Sequence, residues 1–330
     1  MSGTGLRSAL TSAAMARLTY AALGRRPPAG KHAWTRTNHR GEPITLLEGP
    51  AVAVGGVAGA LLTAGSGRRE RIAMAVAGAG AAAFGGYDDL AGDGSSKGFR
   101  GHLGALRKGE LTTGAVKLAG IGATGLAAAL IAGQSGRGRT GAGVVADTVI
   151  DAGLVAGMAN LLNLFDLRPG RAIKVTIATG GMLALLPGEA GEASAAPVAA
   201  AIALLPEDLG ERSMLGDSGA NAVGAMLGVA ATRLPRPARL GLLAAVAGLN
   251  AASERVSFTK VIERTAPLRW LDMLGRRPPA PSPAPPAADD PGTGDPGTGD
   301  PVAPESDAPE SGAAGTGAAA DPAGAAARLR

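Results

Sequence analysis

Three short stretches hold most of the residues in this chain that are equipped for chemistry: FGGYDDLAGD (84–93), NLLNLFDLRPGRAIK (160–174) and MLGDSGANAVG (214–224). They supply Asp88, Asp89, Asp166 and Asp217, with the amides of Asn160 and Asn163 beside them. Carboxylate and amide oxygens are hard donors. They suit Mg2+, which is usually held by one or two carboxylates and completes its shell with water and substrate phosphates. The neighbouring cations Lys117, Arg168 and Arg171 would meet phosphate oxygens, the guanidinium groups in pairs and the ammonium as a point charge. The absence of cysteine excludes disulfides, thiolate nucleophiles and Cys-bound zinc, and three histidines (His32, His39, His102) leave little for a His-metal site.

Spacing sharpens this reading. Residues three apart on a helix drift by about −60°, so Asn160, Asn163 and Asp166 form a slanted stripe that reads as a ligand-facing edge. The competing reading is a set of interhelical hydrogen bonds ending in a cap. Asp88 and Asp89 project about 100° apart, which predicts different tasks: one faces a metal or nucleophile, the other caps or pairs with a loop cation. Asp217 opens a Gly/Ala-rich helix, a place where an acid is also favoured as an ordinary cap. Asp147 and Asp151 fall inside an apolar run, about 22 Å of helix away from Asp166 in the case of Asp151. They read as a structural pair, with Arg137 or Arg139 as the expected partner. His102 reads as a surface residue in a basic segment (97–117) suited to lying against anionic headgroups.

The elements that must position these groups are greasy and small. Of 330 residues, 46% are hydrophobic, 53 are Gly and only 2% are aromatic. Dense small residues suit helices that pack closely in lipid. Candidate spans of roughly 20 residues or fewer fall near 43–66, 70–87, 114–133, 142–164, 172–187, 194–206, 219–234 and 239–252. The expected fold class is therefore all-α: a polytopic membrane bundle of about eight transmembrane helices, with nine or ten allowed, and a site on its cytoplasmic face. The expected divisions are 1–42, a cytoplasmic or interfacial segment; 43–277, the transmembrane domain; and 278–330, an acidic Pro/Ala/Gly-rich tail expected to be disordered. Loops on the side bearing the three stretches hold 20 Lys and Arg against 8 on the other, which places that side in the cytoplasm. Those cytoplasmic loops account for the net charge of +5 without nucleic acid as a partner. Polar groups gathered at one edge, without a clear internal repeat, argue against a transporter.

An Asp-Asp pair ending a span (Asp88, Asp89), an Asn-x-x-Asn-x-x-Asp run (Asn160, Asn163, Asp166) and Gly-Asp-x-Gly (Gly216, Asp217, Gly219) occur in that order. In this the chain, over roughly residues 34–277, resembles a family of polytopic transferases. These move an N-acetylhexosamine-1-phosphate from a UDP-sugar to undecaprenyl phosphate, and they include phospho-MurNAc-pentapeptide transferase and the polyprenyl-phosphate GlcNAc-1-phosphate transferases. The resemblance implies a Mg2+-dependent enzyme of the bacterial plasma membrane that releases UMP in cell-envelope glycan synthesis. Undecaprenyl phosphate, a UDP-sugar nucleotide and membrane lipids are its partners, and a homodimer is compatible with it. It implies Asp217 as the metal ligand, with Asp88 or Asp89 deprotonating or orienting the lipid phosphate or helping to hold the metal. Asn163 and Asp166 would contact the metal-diphosphate region, and Lys117 would meet phosphate. The chain departs from the family where Asp-Gly-x-Asp-Gly-Leu would stand, reading DLRPGRA with Pro169 at the second Asp, the one associated with nucleobase contact. Met214 replaces an aromatic, and APLRWLD (266–272) replaces a Pro-Leu-His-His-His stretch, so Arg269 can hold a phosphate but cannot shuttle a proton. Two expectations follow: a divergent active transferase, or a catalytically degenerate relative that binds lipid phosphate or a cell-wall partner.

Overall fold

A computed structural model describes residues 3–62, 67–92, 101, 104, 105, 107–110, 112–133, 141–186 and 189–278. Those residues are mostly helical and form twelve helices with one two-stranded hairpin. In chain order they are α1 (Gly3–Arg25), α2 (Lys31–Trp34), β1 (Thr35–Thr37), β2 (Pro43–Thr45), α3 (Glu48–Leu61), α4 (Arg68–Ala91) and α5 (Thr113–Ala132). Then come α6 (Ala142–Phe165), α7 (Arg171–Leu185), α8 (Ala190–Leu209), α9 (Gly216–Ala231), α10 (Arg236–Ser253), α11 (Phe258–Arg264) and α12 (Ala266–Met273). The all-α expectation holds, and the apolar runs are helical, the first of them only from Glu48 onward. Of these, α5 and α6 are long and apolar enough to cross a membrane, and α3 is a shorter apolar helix.

Two parts of the N-terminal region differ from expectation. Residues 1–42, expected as a cytoplasmic or interfacial segment, include α1, which packs along α3 and α8. Its Ser8, Ser12 and Ala16 are fully buried against Gly55 and Gly59, so small side chains allow an approach that Arg7 and Arg17 obscure in the sequence. Ser8 donates to the Gly59 carbonyl at 2.9 Å, and Arg17 reaches out of that face to Glu207 at 2.5 Å. The apolar run beginning at residue 43 starts as strand instead of helix. β2 pairs antiparallel with β1 in the register Thr35↔Thr45, and Thr45 also bridges to Ser213, tying the hairpin to the segment before α9. Trp34, Leu46 and Leu47 form a small separate core under it.

The centre of the bundle is α9, which packs against α4 and α6 and also touches α3, α7 and α8. Every residue of α9 is buried except Asp217. A helix buried all round carries no polar face, and here small residues set the packing distance. A Cβ at Gly224 or Gly228 would lie 2.3 Å from the Met158 carbonyl or 2.5 Å from the Val155 Cα on α6.

Asp147 and Asp151 are buried structural acids, as expected, but their cations come from α10. Arg239 donates to Asp151 at 2.5 Å and to Asp147 at 3.3 Å, and Arg236 pairs with Asp147 at 3.1 Å. Arg137, Arg139, His102 and residues 279–330 lie outside the described residues.

Candidate functional site

The site is built around the N-terminus of α9. The first turn of a helix has backbone N–H groups with no intrahelical partner, and no side chain of its own segment caps α9. Asp89, from the end of α4, does so instead: Oδ1 accepts the Asp217 N–H at 3.0 Å and Oδ2 the Ser218 N–H at 2.8 Å. Gly85, one turn earlier on α4, allows this. A Cβ there would lie 2.2 Å from the Asp217 carbonyl oxygen, so the two backbones meet with no side chain between them. Arg36, from the hairpin, donates to the Asp89 carbonyl, and the Asn221 amide donates to the Asp217 carbonyl at 2.7 Å. Asp89 is thus an interhelical cap, one of the two tasks expected of the Asp88–Asp89 pair.

Asp88 turns about a hundred degrees away, as adjacent helical residues must, and meets α5. The Lys117 ammonium lies 2.8 Å from Asp88 and also pairs with Asp217. Three helices, α4, α5 and α9, therefore place two carboxylates on one cation. The positive end of the α9 dipole adds to the field there. This is the group the structure assembles from the expected site residues.

The third stretch is divided. Asn160 donates to Asn250 Oδ1 at 2.5 Å, and Asn250 donates to the Gly157 and Val246 carbonyls, which makes a clasp between α6 and α10. Asn163 is half-buried and its side chain makes no hydrogen bond among the described residues. Asp166, the buried C-cap of α6, takes the Gly216 N–H at its carboxyl group and braces the turn leading into α9. The stripe did not stay one edge because its drift of about −60° per step sends Asn160 to one neighbour and Asp166 to another.

A buried acidic layer lies beneath this turn. Ser213 donates to Glu48 at 2.5 Å, and the Gly170 N–H donates to Asp208 at 2.9 Å. Glu48, Asp166 and Asp208 each keep one buried oxygen without a hydrogen-bond partner. Burial pushes Asp208 up to about 7, against the pull of the Gly170 N–H and Lys174. Burial, and then the charge of Asp208, pushes Asp166 well above the usual carboxylate range. The hydrogen bond from the Gly216 N–H gives Asp166 a bracing role at the turn into α9.

The arginines expected at phosphate are mostly engaged elsewhere. Arg171 is buried, with Nε and Nη2 on the two oxygens of Asp272 at 2.7 and 3.1 Å and Nη1 on Thr259 at 2.9 Å. It fastens α11 and α12 to the start of α7. Burial raises the Asp272 carboxyl, but the hydrogen bond from Arg171 together with the charges of Arg171, Arg276 and Lys174 outweighs it and holds the group below its ordinary value. Arg168 lies 3.9 Å from Glu263. Arg269 is exposed on α12, with no side-chain partner among the described residues. Pro169 and Gly170, where the sequence departs from the family run, form a buried turn with Gly170 at φ 69° that opens α7.

Among the described residues, no group of three or more His, Cys, Asp or Glu side chains is placed to hold a metal ion. Asp88 and Asp217 still converge on a single positive charge, and two carboxylates suffice for Mg2+ when water and substrate complete the shell. The donor set fits that ion, with Lys117 sharing the position. No protein-family model matches the chain, and no curated protein matches it.

Several residues that shape the site carried only a weak signal. Glu48 and Asn250 are isolated polar residues in apolar runs, a pattern that marks buried partners. Arg36, Ser218, Asp208 and Asp272 had no signal of spacing.

Proposed function

We propose that the chain is a multi-pass membrane transferase that moves a sugar-1-phosphate from a UDP-N-acetylhexosamine-type donor to undecaprenyl phosphate, releasing UMP at the cytoplasmic face of a bacterial plasma membrane. The observation that carries this reading is the meeting of Asp88, Lys117 and Asp217 at the only accessible residue of the central helix. The membrane placement is supported by an inside-out pattern. Leu126 and Leu130 on α5 and Val145 and Val149 on α6 point outward, up to 64% exposed, while Gly120, Gly125, Ala128 and Ala129 are buried. Water favours the reverse arrangement, whereas lipid favours small residues at helix contacts.

In this reading an oxygen of the lipid phosphate attacks the sugar-proximal phosphorus of the UDP-sugar, and the bond to the UMP oxygen breaks. Lys117 draws the two phosphate groups together and stabilises the charge that develops on them. Asp88 orients Lys117 and the incoming lipid phosphate. Asp89 and Gly85 hold the first turn of α9, so that Asp217 stays aimed at the reacting groups. Bound Mg2+, held by Asp217 and Asp88, would supply charge neutralisation at the diphosphate.

The test is UMP release by purified protein in nanodiscs given Mg2+, undecaprenyl phosphate and a panel of UDP-sugars. Asp217→Asn is expected to lower turnover by about 100-fold or more. Silence with every donor, or undiminished turnover in Asp217→Asn, refutes the proposal.

One observation favours the second reading, a catalytically degenerate relative that binds lipid phosphate. Lys117 already pairs with both accessible carboxylates. That reading predicts saturable lipid-phosphate binding that survives loss of Asp88 and Asp89, without UMP release.

A further inference from the structure

The last two helices carry their polarity the wrong way round for water. Asp272 is the buried residue of α12, and α11 has none. At about 100° per residue, the side of α12 opposite Asp272 centres on Trp270 and Pro267, with Leu271 at its edge. Trp270 is 68% exposed and Leu271 46%. The carboxylate thus packs inward while the indole points out. On α11 the inner side carries Phe258, Thr259 and Ile262, and the outer side carries Lys260 and Arg264. An exposed apolar patch with a charged border marks a surface that something covers, and the proposed chemistry makes no use of it.

The anchoring of the two helices indicates what covers them. Phe258, which opens α11, stacks on Phe165, the last residue of α6, with ring centroids 5.2 Å apart. Asp272 holds Arg171, the first residue of α7, and its carbonyl accepts from Lys174 at 2.6 Å. Only residues 254–257 separate α11 from the end of α10. Both helices therefore lie level with the ends of α6 and α10 and the start of α7. In the membrane reading this is the depth at which hydrocarbon gives way to headgroups. Tryptophan is enriched at that depth, and helices with one apolar face and basic neighbours bind anionic leaflets there. Arg255, Lys260, Arg264 and Arg269 are exposed in this region, against Glu254 and Glu263.

We propose that α11 and α12 form an interfacial foot on the cytoplasmic leaflet. Trp270 and Leu271 enter the upper acyl region, and Lys260, Arg264 and Arg269 meet the phosphates of anionic glycerophospholipids. The proposal rests on the membrane placement given above and adds to it a surface and a lipid class.

The test measures quenching of Trp270 by brominated lipid. The full chain carries Trp34→Phe, which leaves Trp270 as its one tryptophan, and sits in liposomes of phosphatidylcholine and phosphatidylglycerol. Bromine near the headgroup should quench Trp270 more than bromine near the chain end. Bromine on phosphatidylglycerol should quench about twofold more than the same amount on phosphatidylcholine, and high salt should remove that difference. Lys260→Gln with Arg264→Gln should reduce it as well, while quenching itself and the melting temperature stay at the parent's values. Trp270 open to aqueous iodide and untouched by bromolipid overturns the foot. So does Trp270 shielded from both quenchers, as a second copy or another protein on this face would give. Equal quenching by the two lipid classes overturns the anionic partner. Leu126→Trp on α5, in a chain with Trp34→Phe and Trp270→Phe, tests the membrane placement separately. Quenching there but not at Trp270 overturns the foot alone, whereas quenching at neither overturns the membrane placement too.

Discussion

The sharpest consequence of this architecture lies in two adjacent glycines. Gly85 and Gly86 both sit near the end of α4 against the first turn of α9, yet they meet it very differently. A Cβ on Gly85 would lie 2.2 Å from the Asp217 carbonyl oxygen, a backbone atom that cannot rotate away. A Cβ on Gly86 would lie 3.5 Å from the Ser218 Oγ, which is ordinary contact. Gly85→Ala must therefore push the start of α9 back by about 1.2 Å to reach the 3.4 Å at which ordinary contact begins. Overpacking of this kind costs about 1–3 kcal/mol, partly offset by about 1 kcal/mol of helix propensity gained on replacing glycine. The melting temperature should therefore fall only modestly. Asp217 rides on the displaced turn, and a misplacement of about 1 Å can cost on the order of 100-fold in rate. UMP release by Gly85→Ala should drop by about that factor, with donor KM little changed. Gly86→Ala should stay within about threefold of the parent and melt at or slightly above it, from the same propensity gain. The assay is steady-state UMP release alongside thermal unfolding for both variants. Equal effects of the two substitutions, or full activity in Gly85→Ala, would show that the placement of the α9 turn does not control the site.

Two further outcomes check the frame around the site. Arg239→Met removes the cation facing Asp147 and Asp151 from α10, and loss of one partner from a buried ion network should destabilise the protein by about 3–5 kcal/mol; a loss under about 1 kcal/mol in reversible unfolding would mean those acids are held in another way. The Asp272 clasp predicts a pH effect of definite sign. Its carboxyl is held below the ordinary 3.8, so the stabilisation is complete above that value and fades as pH falls through the lower folded value. Trp270 lies on α12 beside Asp272. In a Trp34→Phe background its fluorescence anisotropy should drop below about pH 4, and Asp272→Asn should lower it already at neutral pH. Constant anisotropy in either case counts against the clasp.

The sequence by itself determined the helical class and the ends of most helices. Runs of Ala, Gly, Val and Leu bounded by charges leave a chain few alternatives to helix, which is why boundaries expected at 114–133 and 142–164 match α5 and α6 within about a residue. It also fixed that Asp88 and Asp89 must act apart, since helical geometry alone separates them. Which of the two caps and which meets the cation was decided only when α9 arrived beside α4 at Gly85, more than a hundred residues away in the chain. The same holds for Asn160: its spacing with Asp166 is local, but α10 chose its partner by supplying Asn250. Local periodicity fixes the direction of a side chain relative to its own helix axis. What stands in that direction depends on contacts between distant helices, set by small residues whose role is invisible until the backbones they admit are in place.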